Sequence, residues 1–410
     1  MNMKRTLIPS LALLFVAGLC VSAFWSQTAA AQPPAAGDLS AIPAQNDAMD
    51  AAHVAKTQQL INGGVKFLLE SRNKDGGWSL GKGMLAHSFR PASTALVLKV
   101  LVQHPDFGPK SDIVREGFKF LLSFKQKDGS ICEPSEGVNN YATSLAVMAL
   151  AASGDPQYKG DLDDAVKYLR GVQIAPGSKK PGLFGGKVGQ DDPRVGGVNY
   201  GSSGQPDLSN EAMWLEAMHD AGVKPDDPAM QRALDFVTRL QNRSESNKQK
   251  FALEGSNDGG FVYNLEASKA GSGPEGKGLR SYGTMTYAGF KSMLYAGVAK
   301  NDPRVQAAFG WIRQYWRLDS NPNMPQAQSV QGLYYYYNLF AKALRAWGEN
   351  EIKDVAGKPH NWRQELVDAL AGRVQKDGSW VNKEAERWEE GSPMLATSYS
   401  VMALEETLKK

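Results

Sequence analysis

The sequence predicts an all-α fold, an α/α toroid in which six inner helices are walled by six outer ones. Three observations carry that prediction. A helix-then-turn motif returns at a period of roughly 50 residues, the mark of stacked supersecondary units. A second set of helices is apolar on most faces and therefore buried. No sustained period-two run appears that would make strands. At 410 residues, 42% of them hydrophobic, the chain can fill such a core.

The first copy of the motif is Gly64-Val65-Lys66-Phe67-Leu68-Leu69 followed by Asn73-Lys74-Asp75-Gly76-Gly77-Trp78. The second is Gly117-Phe118-Lys119-Phe120-Leu121-Leu122 followed by Gln126-Lys127-Asp128-Gly129-Ser130-Ile131, and Gln375-Lys376-Asp377-Gly378-Ser379-Trp380 closes the series. Each reads as an amphipathic outer helix that stops at a Lys-Asp-Gly turn, where Gly can take the left-handed conformation, with an aromatic packing back behind it. Weaker outer-helix starts lie at Asp163 to Leu169, at Asp227-Pro228 and at Asp302-Pro303; Asp-Pro supplies a cap and an N1 proline. Between them fall the inner helices, rich in small and apolar residues: 92–102, 142–152, 209–221, 284–296, 333–347 and 396–408.

In front of this domain, Lys4 and Arg5, the apolar stretch from Leu11 to Trp25 and Ala29-Ala30-Ala31 read as a signal peptide over residues 1–31, cleaved before Gln32. An uncleaved membrane anchor is the alternative. Residues 32–52, rich in Ala and Pro, read as a flexible linker, and the toroid occupies 53–410. The expected location is secreted or periplasmic, or membrane-anchored if the signal is retained. Cleavage would leave Cys132 as the sole thiol and hence no intramolecular disulfide. The balance of 46 Lys+Arg against 43 Asp+Glu is too even for a protein that grips nucleic acid by neutralising phosphates.

With its Lys-Asp-Gly turns, one of them the full Lys376-Asp377-Gly378-Ser379-Trp380, the chain resembles the squalene cyclase and prenyltransferase-subunit superfamily. Outer helices of that superfamily end in QW motifs of the form Gln-x-x-Asp-Gly-Ser-Trp. The resemblance spans nearly the whole mature chain; the copies here are one residue shorter and only two keep the Trp. It looks most like the exported proteins of this repeat class with no assigned reaction. Cyclases of the superfamily protonate a double bond with an Asp-x-Asp-Asp acid, and Asp161-Leu162-Asp163-Asp164 matches that pattern, making Asp163 a candidate. Those residues also open an outer-type helix, where acids complement the dipole. The prenyltransferase subunits hold zinc, but Cys132 and the five histidines show no ligand spacing, so neither metal nor cofactor is expected.

Aligning the inner helices puts Thr94, Thr143, Glu211, Thr286, Tyr337 and Thr397 at one position, a polar ring expected at the mouth of a central cavity. Glu211 is its one carboxyl, and in an apolar funnel its pKa would rise to suit a general acid or base; a structural pairing is the alternative. Tyr141, Tyr200, Tyr282, Tyr287, Tyr334 and Tyr337 cluster at inner-helix starts, with Arg280 close by and Trp388 on the loop before the last inner helix. Four consecutive tyrosines, 334 to 337, cover every face of a turn, so at most two can share the lumen. An aromatic cavity of this kind can hold an apolar ligand, stabilise a carbocation or stack sugars. The expected function is binding of an isoprenoid, another apolar ligand or a protein partner. An active terpene cyclase or isomerase, and an exported polysaccharide lyase or hydrolase, are the alternatives.

Overall fold

The computed structural model describes residues 48–81, 88–178, 186–201 and 204–409. The expected signal peptide and most of the linker lie outside them, as does His87. Thirteen helices are present among the described residues: α1 (Ala51–Glu70), α2 (Arg90–Gln103), α3 (Asp112–Leu122), α4 (Asn139–Ser153), α5 (Lys159–Val172), α6 (Leu208–Asp220), α7 (Pro228–Thr238), α8 (Lys250–Glu254), α9 (Gly283–Tyr295), α10 (Pro303–Gln314), α11 (Leu333–Trp347), α12 (Trp362–Ala371) and α13 (Pro393–Leu408). One small antiparallel hairpin, β1 (Glu351–Lys353) and β2 (Pro359–Asn361), joins α11 to α12.

Helices α2, α4, α6, α9, α11 and α13 pack each against the next, and α13 returns to α2, so the inner ring closes. The six expected inner helices are these six. Outer helices α1, α3, α5, α7, α10 and α12 wall them. Inner helices bury residues on every face, as in α2 from Pro91 to Val102 without interruption, whereas α3 buries only Val114, Gly117, Phe118 and Leu121. That contrast is the amphipathic pattern of the sequence realised. None of the described helices is long and apolar enough to cross a membrane.

The glycine turns fasten the two layers. Gly129 and Gly378 have φ of +89° and +84°, and a Cβ on either would lie within 2.6 Å of a backbone oxygen of another outer helix, Asp164 or Gly63. Glycine is thus required twice over, for the turn and for the close approach. The Gly378 contact seats the last turn on the first outer helix. Trp78 and Trp380 fold back so that their indole N–H groups donate to Leu68 O (2.7 Å) and Leu370 O (2.9 Å). Residues just ahead of His53 are tied to the helices: Asn361 Nδ2 donates to Ala48 O (2.7 Å), Met49 is buried, and Asp50 caps α1 at His53 N.

Candidate functional site

Inner helices lie parallel, and the residues that face the lumen recur at i, i+4 and i+7, one stripe of each helix. The upper tier reads Ala92, Tyr141, Ser209, Thr284, Tyr335 and Leu395, in the first turn of each helix. All six line a cavity of about 430 Å³. Leu96, Met213, Met285 and Tyr399 of the inner helices extend it, and Leu80, Phe89, Val138, Tyr200, Tyr263, Lys269, Tyr282, Gly332, Trp388, Glu389 and Glu390 come from the connections above. Two turns down the same stripes, Lys99, Glu216, Lys291 and Lys342 fill the lumen instead. Glu216 accepts from Lys291 and Lys342 (2.5 Å each) and Lys99 (3.4 Å), and Lys99 also reaches Asp220 at 2.5 Å.

Of the residues expected at the site, Tyr141, Tyr200, Tyr282 and Trp388 come together in this cavity. The polar ring does not line it. Its side chains turn outward and receive the strap that follows each outer helix: Thr94, Thr143, Thr286 and Thr397 Oγ1 accept from the backbone N–H of Trp78, Ile131, Phe261 and Trp380 at 3.0–3.1 Å. Glu211 Oε2 does the same for Val198 N (2.8 Å), and Tyr337 donates to Leu318 O (2.5 Å). Burial pushes the Glu211 carboxyl well above its usual range, but on the side of α6 away from the lumen. Tyr334 donates to Val381 O (3.3 Å) and Tyr287 packs on Tyr336 and Phe340. Asp163 sits on the surface of α5 with Lys159 (2.6 Å), and Arg280 Nε donates to Ser272 O (3.3 Å) on an exposed loop. Among the described residues no three His, Cys, Asp or Glu side chains are grouped to hold a metal.

Sequence reasoning missed Tyr263, Tyr335, Tyr399, Lys269 and Glu390. The signal for Tyr335 was present: on every inner helix the lumen-facing residue stands two positions before the ring residue, the spacing that puts a helical neighbour on the opposite side. Tyr141 and Tyr399 share a hydrogen bond (3.2 Å), and Tyr335 accepts from Ser209 Oγ (3.2 Å). Carboxyls cap three alternate inner helices at this end. Glu136 accepts from Phe89 N (2.5 Å), Asp207 from Asn210 N (3.0 Å) and Nδ2 (2.7 Å), and Glu390 from Tyr335 N (2.9 Å) and Asn382 Nδ2 (2.8 Å). Burial raises all three, Asp207 to about 6 and Glu390 to about 7. Trp388 and Glu389 both hold left-handed φ (59° and 64°), and the Trp388 ring lies so close over Gly332 that a Cβ there would meet it at 3.1 Å. Two consecutive non-glycine residues in that region store strain at the cavity's edge.

Together these features define a toroid of helix-pair repeats with an aromatic cavity at one end and a charged plug at the other. No family model and no curated protein matches the sequence. Among solved structures the chain is similar to a variant of the type II terpene cyclase MstE from Scytonema, in complex with geranylgeranyl dihydroxybenzoate. They share 14% identity over 88% of this chain and 99% of that one, with a TM-score of 0.53. It is similar also to an alpha-amylase from Clostridium perfringens (12% identity, 88% and 99% covered, TM-score 0.51). A D-mannose isomerase matches at 12% identity, 87% and 96% covered, TM-score 0.51. At such identities the likeness establishes the α/α toroid, a scaffold shared by unrelated activities.

Proposed function

We propose that the protein is an exported toroid of the squalene cyclase-like kind that binds an apolar, isoprenoid-type ligand in the tyrosine-lined cavity. The carrying observation is the lining itself: six tyrosines, Trp388, Phe89, Leu96, Met213, Met285 and Leu395 around about 430 Å³, within the size and character of a small-molecule site. Export is inferred from the pattern of residues 1–31. The upper lumenal tiers of the inner helices carry no carboxyl, which favours holding over protonating an alkene.

The test is to purify the protein from a membrane-containing extract, identify bound small molecules by mass spectrometry of an organic extract, and titrate it with prenyl compounds while following tryptophan fluorescence. A stoichiometric isoprenoid, or saturable binding that quenches Trp388, is expected. Neither outcome occurring would sink the reading. A second reading, terpene cyclase or isomerase activity, has one specific observation behind it: Glu390 lines the cavity with its carboxyl near 7, where a side chain can exchange a proton. Turnover of a linear isoprenoid that disappears in Glu390→Gln would support it.

A further inference from the structure

Which polar atoms of the cavity are spoken for decides what kind of ligand it suits. The acceptors are committed. Both Glu390 oxygens receive hydrogen bonds, from Tyr335 N and Asn382 Nδ2, and both Asp207 oxygens receive them from Asn210. Tyr141 is paired with Tyr399, and Tyr335 with Ser209. Glu389 stands at the exposed outer edge, where water screens its charge.

The uncommitted groups are donors. Among the described residues Lys269 is the one cation lining the cavity, half-buried; its ammonium stands over the face of the Tyr263 ring at 4.1 Å and makes no hydrogen bond or ion pair. Burial works against that charge; the Asp207 carboxylate supports it through space and Arg387, stacked on Trp388 at 5.0 Å, opposes it, and the balance leaves the ammonium's pKa lowered, so an anion in direct contact with it would be favoured. The Tyr282 hydroxyl makes no hydrogen bond among the described residues, and burial holds it protonated. Ser93, 1% exposed, lines the cavity with its hydroxyl unpartnered. The first turns of all six inner helices, with their positive dipole ends, surround the same space.

The geometry points to an anionic amphiphile as the occupant: an apolar chain against Leu96, Met213 and Met285, and a carboxylate or phosphate head at Lys269 and Tyr282. This rests on the cavity reading proposed above and specifies its ligand class.

Calorimetric titration of the purified protein with farnesoic acid, farnesyl phosphate and farnesol tests it. Farnesoic acid is expected to bind about ten- to a hundredfold more tightly than farnesol, the range for one charge-assisted hydrogen bond. That preference should weaken in high salt, disappear in Lys269→Met and shrink in Tyr282→Phe. Both variants change a side chain at the cavity edge, and their circular dichroism should match wild type. Farnesyl phosphate distinguishes the two heads: tighter binding than the acid, with the same dependence on Lys269, assigns a phosphate, and weaker binding a carboxylate. Equal affinity for acid and alcohol, or a preference that survives Lys269→Met, overturns the inference and leaves an apolar cavity standing. No binding of any of the three overturns both.

Discussion

The two ends of the lumen are built on the same six stripes and are chemically opposite. At the mouth the stripes present Tyr141, Ser209, Thr284 and Tyr335 around open volume; two turns lower they present Lys99, Glu216, Lys291 and Lys342, and the volume is gone. The helix dipole accounts for part of the difference. Parallel inner helices gather six positive ends at the mouth, where Glu136, Asp207 and Glu390 cap three of them, and six negative ends at the floor, where Arg345 stands in the last turn of α11. A closed ring of like-oriented helices separates a site from its foundation: the floor can be dense and ionic, leaving the mouth free to stay hollow.

The sharpest way to break that comparison is at Glu216. Burial opposes its charge, yet three lysines outweigh burial and hold it ionised, its pKa well below the usual range. Lys342, with burial against it and two other lysines nearby, falls to about 8. Replacing Glu216 by Gln leaves buried ammonium groups without their shared counter-charge, a loss of about 3–5 kcal/mol. Urea denaturation followed by circular dichroism should show it. A loss under about 1 kcal/mol would mean the plug is wet and the floor resembles the mouth.

At the mouth the corresponding carboxyl acts with opposite sign. Glu390 keeps its proton to about pH 7 in the folded state, whereas the unfolded chain releases it near 4.3. Between those values the native state binds more protons, so this group makes stability fall as pH rises, by at most about 4 kcal/mol in all. Glu390→Gln cannot ionise and keeps an oxygen for Tyr335 N. The variant should equal wild type in relative terms below about pH 4.3, gain on it from there to 7, and hold a constant lead above. Denaturation midpoints across that range are the check; a flat difference would place Glu390 in water.

Much of this was legible beforehand, and the parts that were not have a physical reason. Apolar stretches and glycine turns gave all six inner helices because burial on every face and a left-handed turn each leave a residue-level mark. The alignment of Thr94, Thr143, Glu211, Thr286, Tyr337 and Thr397 found a true repeat and put it on the wrong side of the helix. Polar residues at one register can face a lumen or satisfy the N–H of an incoming strap, and sequence spacing does not tell the two apart. Glu211 shows the ambiguity best, standing where a threonine stands in four other helices. Lys269 and Glu390 lie on connections outside the repeat, so no register pointed to them. The strap interpretation predicts that Thr397→Val, which leaves Trp380 N without its acceptor, costs about 1–3 kcal/mol. Amide exchange at Trp380 should accelerate in parallel; no change in either would return the ring to the cavity.

The smallest expected effect is the one that best separates a hollow end from a filled one. Tyr141 and Tyr399 hydroxyls meet at 3.2 Å across the cavity, burial raising both. Tyr141→Phe removes one of them without changing the ring that packs beside Tyr200. In a filled core the surviving hydroxyl would be stranded at a cost of about 1–3 kcal/mol. Here the cavity lies beside it, and a water admitted to that space can replace the lost partner, so the expected loss is under about 1 kcal/mol. Thermal and urea denaturation measure it directly. A cost approaching that of Glu216→Gln would show that the tyrosines brace the ring as the lysines do, and the mouth would then be structure rather than site.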